Sequence, residues 1–195
     1  MIETLKRYLD ENKIDYSEET LDSFVRYKDL LIEWNEKFNL TAITDEEGIA
    51  VKHFIDSLTI YKYVANKKSL ADIGTGAGFP GLPLKITGYE SEFVLIDSLK
   101  KRLGFLDVVI NELRLINCRT VHSRAEDAGR GELREAFDVV TARAVAYLPV
   151  LSEYCLPLVK KGGIFIAMKG PEAEQELKGS SRVIELLGGQ IEKIE

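Results

Sequence analysis

An aspartate followed by four glycines, Asp72-Ile-Gly-Thr-Gly-Ala-Gly-Phe-Pro-Gly81, is where the chemistry of this chain concentrates. The apolar run Leu70 to Ile73 reads as a strand, and Pro80 stands where a helix can begin. Between strand and helix, Gly74, Gly76, Gly78 and Gly81 let the backbone turn sharply and approach a ligand, because no Cβ intervenes. A second carboxylate, Asp97, closes the next apolar run, Phe93-Val-Leu-Ile-Asp97. A carboxylate at that place is suited to accept both hydroxyls of a ribose. Cations cluster at the same ends of the predicted strands. Lys100, Lys101, Arg102, Arg124, Arg143 and Lys169 each follow or close one, where open α/β sheets hold their ligands. They are candidates for binding phosphates of a nucleic acid, with ordinary solvated or ion-paired side chains as the plain alternative.

Two cofactors fit this much. Gly76-Ala-Gly-Phe-Pro-Gly81 satisfies the G-x-G-x-x-G pattern of dinucleotide sites, which keeps an NAD-type oxidoreductase open. Asp72 argues the other way. A pyrophosphate resting on the helix N-terminus is repelled by an adjacent carboxylate, whereas S-adenosylmethionine carries an ammonium and a sulfonium and no phosphate. Asp72 is therefore expected to serve the methyl donor, by contact, through water or by ordering the loop.

The elements that must position these groups follow from periodicity. Ser17 caps a helix running to about Asn39. Leu21, Phe24, Val25, Leu31, Ile32 and Phe38 form one apolar stripe on it, and Tyr27, Leu30 and Trp34 a second. A further helix is expected from about Asp45 to Val64, with Ile49, Phe54, Ile55, Leu58 and Tyr61 inward. His53 and Asp56 lie one turn apart on it and are placed to pair. From Ser69 the period changes. Apolar runs at 69–73, 92–97, 118–122, 137–142 and 163–168 alternate with helical stretches at 80–88, 99–115, 146–158 and 171–187. That alternation predicts an α/β fold, a mostly parallel sheet with helices on both faces. The division expected is a helical N-terminal extension, 1–66, and a sheet domain, 67–195. Residues 189–195 read as the opening of another strand, so the sheet edge is expected to continue beyond Glu195.

The 195 residues are 45% apolar and 30% charged, as befits a globular protein with a core. No run of 18 apolar residues occurs, which excludes a membrane-spanning helix. Cys118 and Cys155 form neither metal-ligand spacing nor a disulfide framework; a reducing cytoplasm and a monomer are the simplest readings. The net charge is −6. Residues 1–66 hold 8 Lys and Arg against 14 Asp and Glu, so the whole excess lies there. The remainder is neutral and free to carry a basic face.

Seven segments occur in a familiar order: Trp34-Asn-Glu-Lys-Phe-Asn-Leu-Thr-Ala-Ile43, His53-Phe-Ile-Asp-Ser-Leu58, Asp72 through Pro83, Asp97-Ser-x-x-Lys-Arg-x-x-Phe-Leu106, Arg124-Ala-Glu126, Thr141-Ala-Arg-Ala144 and Lys169-Gly170. Together they resemble the bacterial small-subunit ribosomal RNA guanine-N7 methyltransferases, the glucose-inhibited division protein B family, over nearly the whole chain. The resemblance implies a class I, Rossmann-like S-adenosylmethionine-dependent methyltransferase fold behind the helical extension. It implies methylation of a guanine N7 in the 530 loop of 16S rRNA, as free RNA or within the small ribosomal subunit. It implies that Gly74 and Phe79 line the methyl-donor pocket, that Asp97 holds the ribose, and that Ala125 and Glu126 lie beside the adenine. Arg143 is implied to face the catalytic pocket and meet donor or RNA. A ribosome-binding protein without activity is the remaining alternative. Members of the family usually continue past the point where this chain stops.

Overall fold

The structure is a computed structural model and describes residues 1–88 and 90–195. Five strands form one sheet: β1 (Ser69–Ile73), β2 (Glu92–Asp97), β3 (Cys118–His122), β4 (Phe137–Arg143) and β5 (Val159–Met168). Their order is β3-β2-β1-β4-β5 and every pairing is parallel. The order reverses at β1, because β2 pairs on one side of it and β4 on the other. The segments that follow β1 and β4 therefore run to opposite faces of the sheet and leave a crevice at the carboxyl ends of the two strands, the usual ligand position in such sheets. The four strands expected at 69–142 fall at their expected residues. β5 starts four residues early, with a register shift against β4 around Gly162, whose φ is +78°.

Side-chain alternation sorts the sheet into two faces. Ala71, Ile73, Val94, Ile96, Val140 and Ala142 pack with Leu151, Cys155 and Leu158 from the segment after β4, which comprises α9 (Leu148–Cys155) and a 3-10 turn (Leu156–Leu158). Leu70, Phe93, Leu95 and Val139 face the other way. They share a single core with the helices of the first 66 residues: α1 (Ile2–Glu11), α2 (Glu18–Phe38), α3 (Glu46–Ile49), α4 (Asp56–Leu58) and α5 (Tyr61–Val64). Also in that core are α6 (Gly81–Ile86) and α7 (Lys100–Glu112). Ser17 caps α2 through Thr20, and the two stripes of α2 both find cover: Leu21, Phe24 and Leu31 are buried, as are Tyr27 and Leu30. Trp34 packs against Phe38 and Phe105 at 5.4 and 5.8 Å between ring centres.

Three expectations need correction. The helix expected over Asp45 to Val64 is α3, a π-helical stretch (Ala50–Ile55), α4 and α5 in succession. Ser57 Oγ donates to the His53 carbonyl and Thr59 Oγ1 to that of Asp56, and such local bonds compete with the regular ladder. The helix expected over 171–187 is broken into α10 (Ala173–Lys178) and α11 (Ser181–Leu186), with Gly179 and Ser180 at the joint. The strand expected to open at 189–195 is irregular chain. A four-residue helix, α8 (Ala125–Ala128), falls between β3 and β4 and is too short to leave a periodic signal. Among the described residues no helix is long and apolar enough to cross a membrane.

Candidate functional site

β1 delivers Asp72 to the base of the glycine loop, and the loop closes over it. Asp72 is fully buried; its Oδ2 accepts from Thr75 Oγ1 at 2.7 Å and from the Gly81 amide at 3.0 Å. It thus ties the two ends of the turn together and does not reach the crevice. Of the three ways in which it was expected to serve a cofactor, the geometry favours ordering the loop. Burial pushes its carboxyl up to about 7, since a charge loses its hydration there. Among the described residues Oδ1 has no partner, nor has the buried hydroxyl of Thr141, its register neighbour on β4.

The turn itself uses left-handed backbone at Gly74, Gly76 and Gly78, with φ of +63°, +61° and +101°. The Gly74 and Thr75 amides bond the Ile96 carbonyl at 2.8 and 3.2 Å, stitching the loop to the end of β2. Behind the loop, Tyr27 of α2 donates its hydroxyl to the Ala77 carbonyl. A Cβ on Gly78 would meet that hydroxyl at 2.7 Å and Leu82 at 2.5 Å.

In front of the loop lies a cleft of about 310 Å³, in the size range of small-molecule sites. It lies at the carboxyl ends of the strands. Ile73 and Gly74 form one wall, Asp97 and Ser98 another, and Ser123 to Glu126 a third; Ala144, Val145 and Tyr154 close it. Asp97 is nearly buried. Its Oδ1 accepts from the Leu99 amide at 2.9 Å, and its Oδ2 from the Gly76 amide at 3.0 Å and from Arg102 at 3.2 Å. Gly74, Asp97, Ala125 and Glu126, named from the sequence, thus come together on one cleft. Gly76 reaches it through Asp97, and Gly78 shapes the loop from behind. Arg102, read as a cation for RNA, turns out to lie on the cleft wall. Ser98, Ser123 and Tyr154 also line the cleft; Ser98 stood in the motif after Asp97 without a role, and Ser123 and Tyr154 had no spacing or motif by which to be noticed.

Arg143 and Phe79 are placed elsewhere than expected. Neither lines the cleft. Arg143, at the end of β4, points to the N-terminal helices. It bonds Asp56 Oδ2 at 2.7 Å and the Lys52 carbonyl at 3.1 Å. A π-helical stretch displaces carbonyls from the regular ladder, and Lys52 lies within one. Phe79, 5% exposed, stacks on His53 with ring centres 4.4 Å apart, and the Arg143 guanidinium lies 5.1 Å from its ring centre. His53 and Asp56 therefore do not pair with each other; both meet Arg143, His53 through Nδ1 at 3.4 Å. Thr41 Oγ1 holds the other ring nitrogen at 2.8 Å. Burial, reinforced by the Arg143 charge, pushes the imidazole down to about 4, so it is neutral near pH 7.

Of the remaining cations, Lys100 and Lys101 are exposed on the first turn of α7. Arg124 is exposed and 3.6 Å from Glu126. Lys169 is not an open cation: its ammonium bonds Glu176 at 2.7 Å and the Ala146 carbonyl at 2.9 Å, and both side chains are largely covered.

Residues 20–195 match the family model GidB, rRNA small subunit methyltransferase G. The chain is 54% identical over 182 residues to the ribosomal RNA small subunit methyltransferase G of Desulfitobacterium hafniense, covering 93% of this chain and 76% of that protein. It is 51% identical over 193 residues to that of Clostridium perfringens, covering 97% and 81%. Among solved structures it resembles a SAM-dependent methyltransferase from Aquifex aeolicus, with a TM-score of 0.58, 16% identity and coverage of 80% and 89%. A ribosomal protein L11 methylase from Lactobacillus delbrueckii gives a TM-score of 0.53 at 16% identity, covering 67% of this chain and 68% of that one. At such identity these likenesses concern the fold, which is that of class I methyltransferases.

Proposed function

Because the chain belongs to the rRNA small subunit methyltransferase G family, we propose that it methylates small-subunit ribosomal RNA with S-adenosylmethionine as donor, at N7 of a guanine in the 530 loop of 16S rRNA. The observation that carries the reading is the family match laid over the cleft. A ligand-sized space at the strand ends has a glycine turn on one side and a carboxylate, Asp97, on the other.

The residues present fit the donor. Asp97 would take the ribose, Ala125 and Glu126 the adenine, and the left-handed turn at Gly74 and Gly76 leaves the backbone bare of side chains. Bound there, the donor supplies a methyl group on a sulfonium. Guanine N7 presents a lone pair and no proton, so the chain needs no general base. His53 agrees with that: held down near pKa 4 and enclosed by Thr41 and Phe79, it is a poor one. What the chain contributes is alignment, by holding acceptor and donor in line at reacting distance. Arg143, fixed by Asp56 beside the cleft and not within it, is suited to the RNA side. It would donate to guanine O6 or a phosphate and leave N7 open.

The direct test is to incubate the protein with S-adenosylmethionine and small-subunit particles or naked 16S rRNA, then map the added mass. One methyl on one 530-loop guanine is expected, identified by the opening of the imidazole ring that alkali causes in N7-methylguanine, with the methyl retained. Calorimetry with S-adenosylmethionine and NAD should give heat with the first alone. Binding of NAD, or RNA binding with no methyl transferred, would overturn the reading.

A further inference from the structure

Asp97 holds the key to a second property of the cleft. A carboxylate accepts at about four lone-pair positions, and three are already taken, by the Leu99 amide, the Gly76 amide and the Arg102 guanidinium. A ribose brings two more hydroxyl donors. Five donors cannot share four positions, so one must leave. The two amides are fixed by the glycine loop and by the entry to α7. Arg102 is a flexible side chain, it is 37% exposed, and at 3.2 Å its contact is the longest of the three. That is longer than the roughly 2.7–2.9 Å of a well-formed charge-assisted bond.

We propose that Arg102 is a latch that couples the donor to the RNA. Without donor it is ion-paired to Asp97 on the cleft wall. Ribose displaces it, and the released guanidinium joins Lys100 and Lys101 on the first turn of α7 as a third cation for an RNA phosphate. The proposal rests on the reading that Asp97 takes the donor ribose. Because coupling between two ligands is reciprocal, RNA tightens the donor by the same factor as donor tightens RNA. The loaded protein is thereby the one that engages its substrate.

The test uses the intact protein, S-adenosylhomocysteine as an unreactive probe of the donor site and a 16S rRNA transcript, with RNA affinity measured across salt concentration. In the wild-type protein, saturating S-adenosylhomocysteine should tighten RNA about 5- to 10-fold. It should also steepen the slope of log affinity against log salt by about 0.7 to 0.9, the value of one phosphate contact. In Arg102→Ala the slope should be the same with and without the probe, while the probe itself binds at least as tightly as to wild type. Arg102→Lys keeps a cation and should keep the steepening. An unchanged wild-type slope would overturn the latch, as would an Arg102→Ala loss of probe affinity as large as that of Asp97→Asn. In either case the donor reading stands. Failure of S-adenosylhomocysteine to bind the wild-type protein removes the donor reading, and the latch with it.

Discussion

Single residues decide what this site can do, and Asp72 is the plainest case. Its carboxyl is buried without enough partners, and desolvation raises it from 3.8 to about 7. A carboxyl so raised favours the folded state while protonated. That stability is fully present below about pH 4 and is lost as pH rises through about 7. Asp72→Asn keeps an oxygen for Thr75 and Gly81 and has no charge to bury. Its melting temperature relative to wild type should therefore be more favourable at pH 8 than at pH 5. A constant difference would show that Asp72 ionises freely. The neutral His53, common to both proteins, cancels from the comparison. At Arg143 the prediction separates acceptor from donor. Arg143→Ala should lower turnover by a factor on the order of 10² and leave S-adenosylhomocysteine affinity unchanged. A loss of donor affinity with turnover retained would move Arg143 to the donor side.

The glycine loop, at the scale of the element, is one turn whose glycines are not equivalent. At Gly76 an added Cβ makes only an ordinary contact, with the Gly74 carbonyl at 3.8 Å, so Gly76→Ala bears only the left-handed backbone, about 1 kcal/mol. At Gly78 the same atom strikes Leu82 and the Tyr27 hydroxyl, and Gly78→Ala should cost about 3 kcal/mol, strain and overpacking together. Denaturant titration of the two variants measures the contrast; equal losses would mean that the loop is not seated on α2. The loop's letters, its sharp turn and the capping of α2 by Ser17 were all legible, because each depends on residues within a few positions. The π-helical stretch at Ala50–Ile55 was not. An apolar stripe reads the same whether the ladder is regular or widened by one residue, and the widening is set by what packs on it.

At the scale of the whole molecule, the helices of residues 1–66 and the sheet are not independent bodies. Phe24, Tyr27 and Phe54 are fully buried in the same core as Phe93, Leu95 and Phe105. Tyr27 lies 5.6 Å from Phe79 and 6.3 Å from Phe105 between ring centres. Removing residues 1–66 takes away half of that core and uncovers the apolar sides of α6 and α7 on which α2 and α4 pack. Such a chain should show no cooperative thermal transition and should bind hydrophobic dye. A sharp transition would establish the sheet as a separate folding unit.

Local spacing alone was enough to settle the strand order in sequence, the turn after β1, and the carboxylate at the end of β2. Period and turn chemistry act over a few residues and leave few alternatives. It was packing that decided where the charges went. Asp72 turned inward, Arg102 closed on Asp97, Lys169 was captured by Glu176, and Arg143 left the cleft for Asp56, 87 residues earlier in the chain. An ionic partner at that distance depends on which helix face meets which strand end, and no spacing rule encodes it.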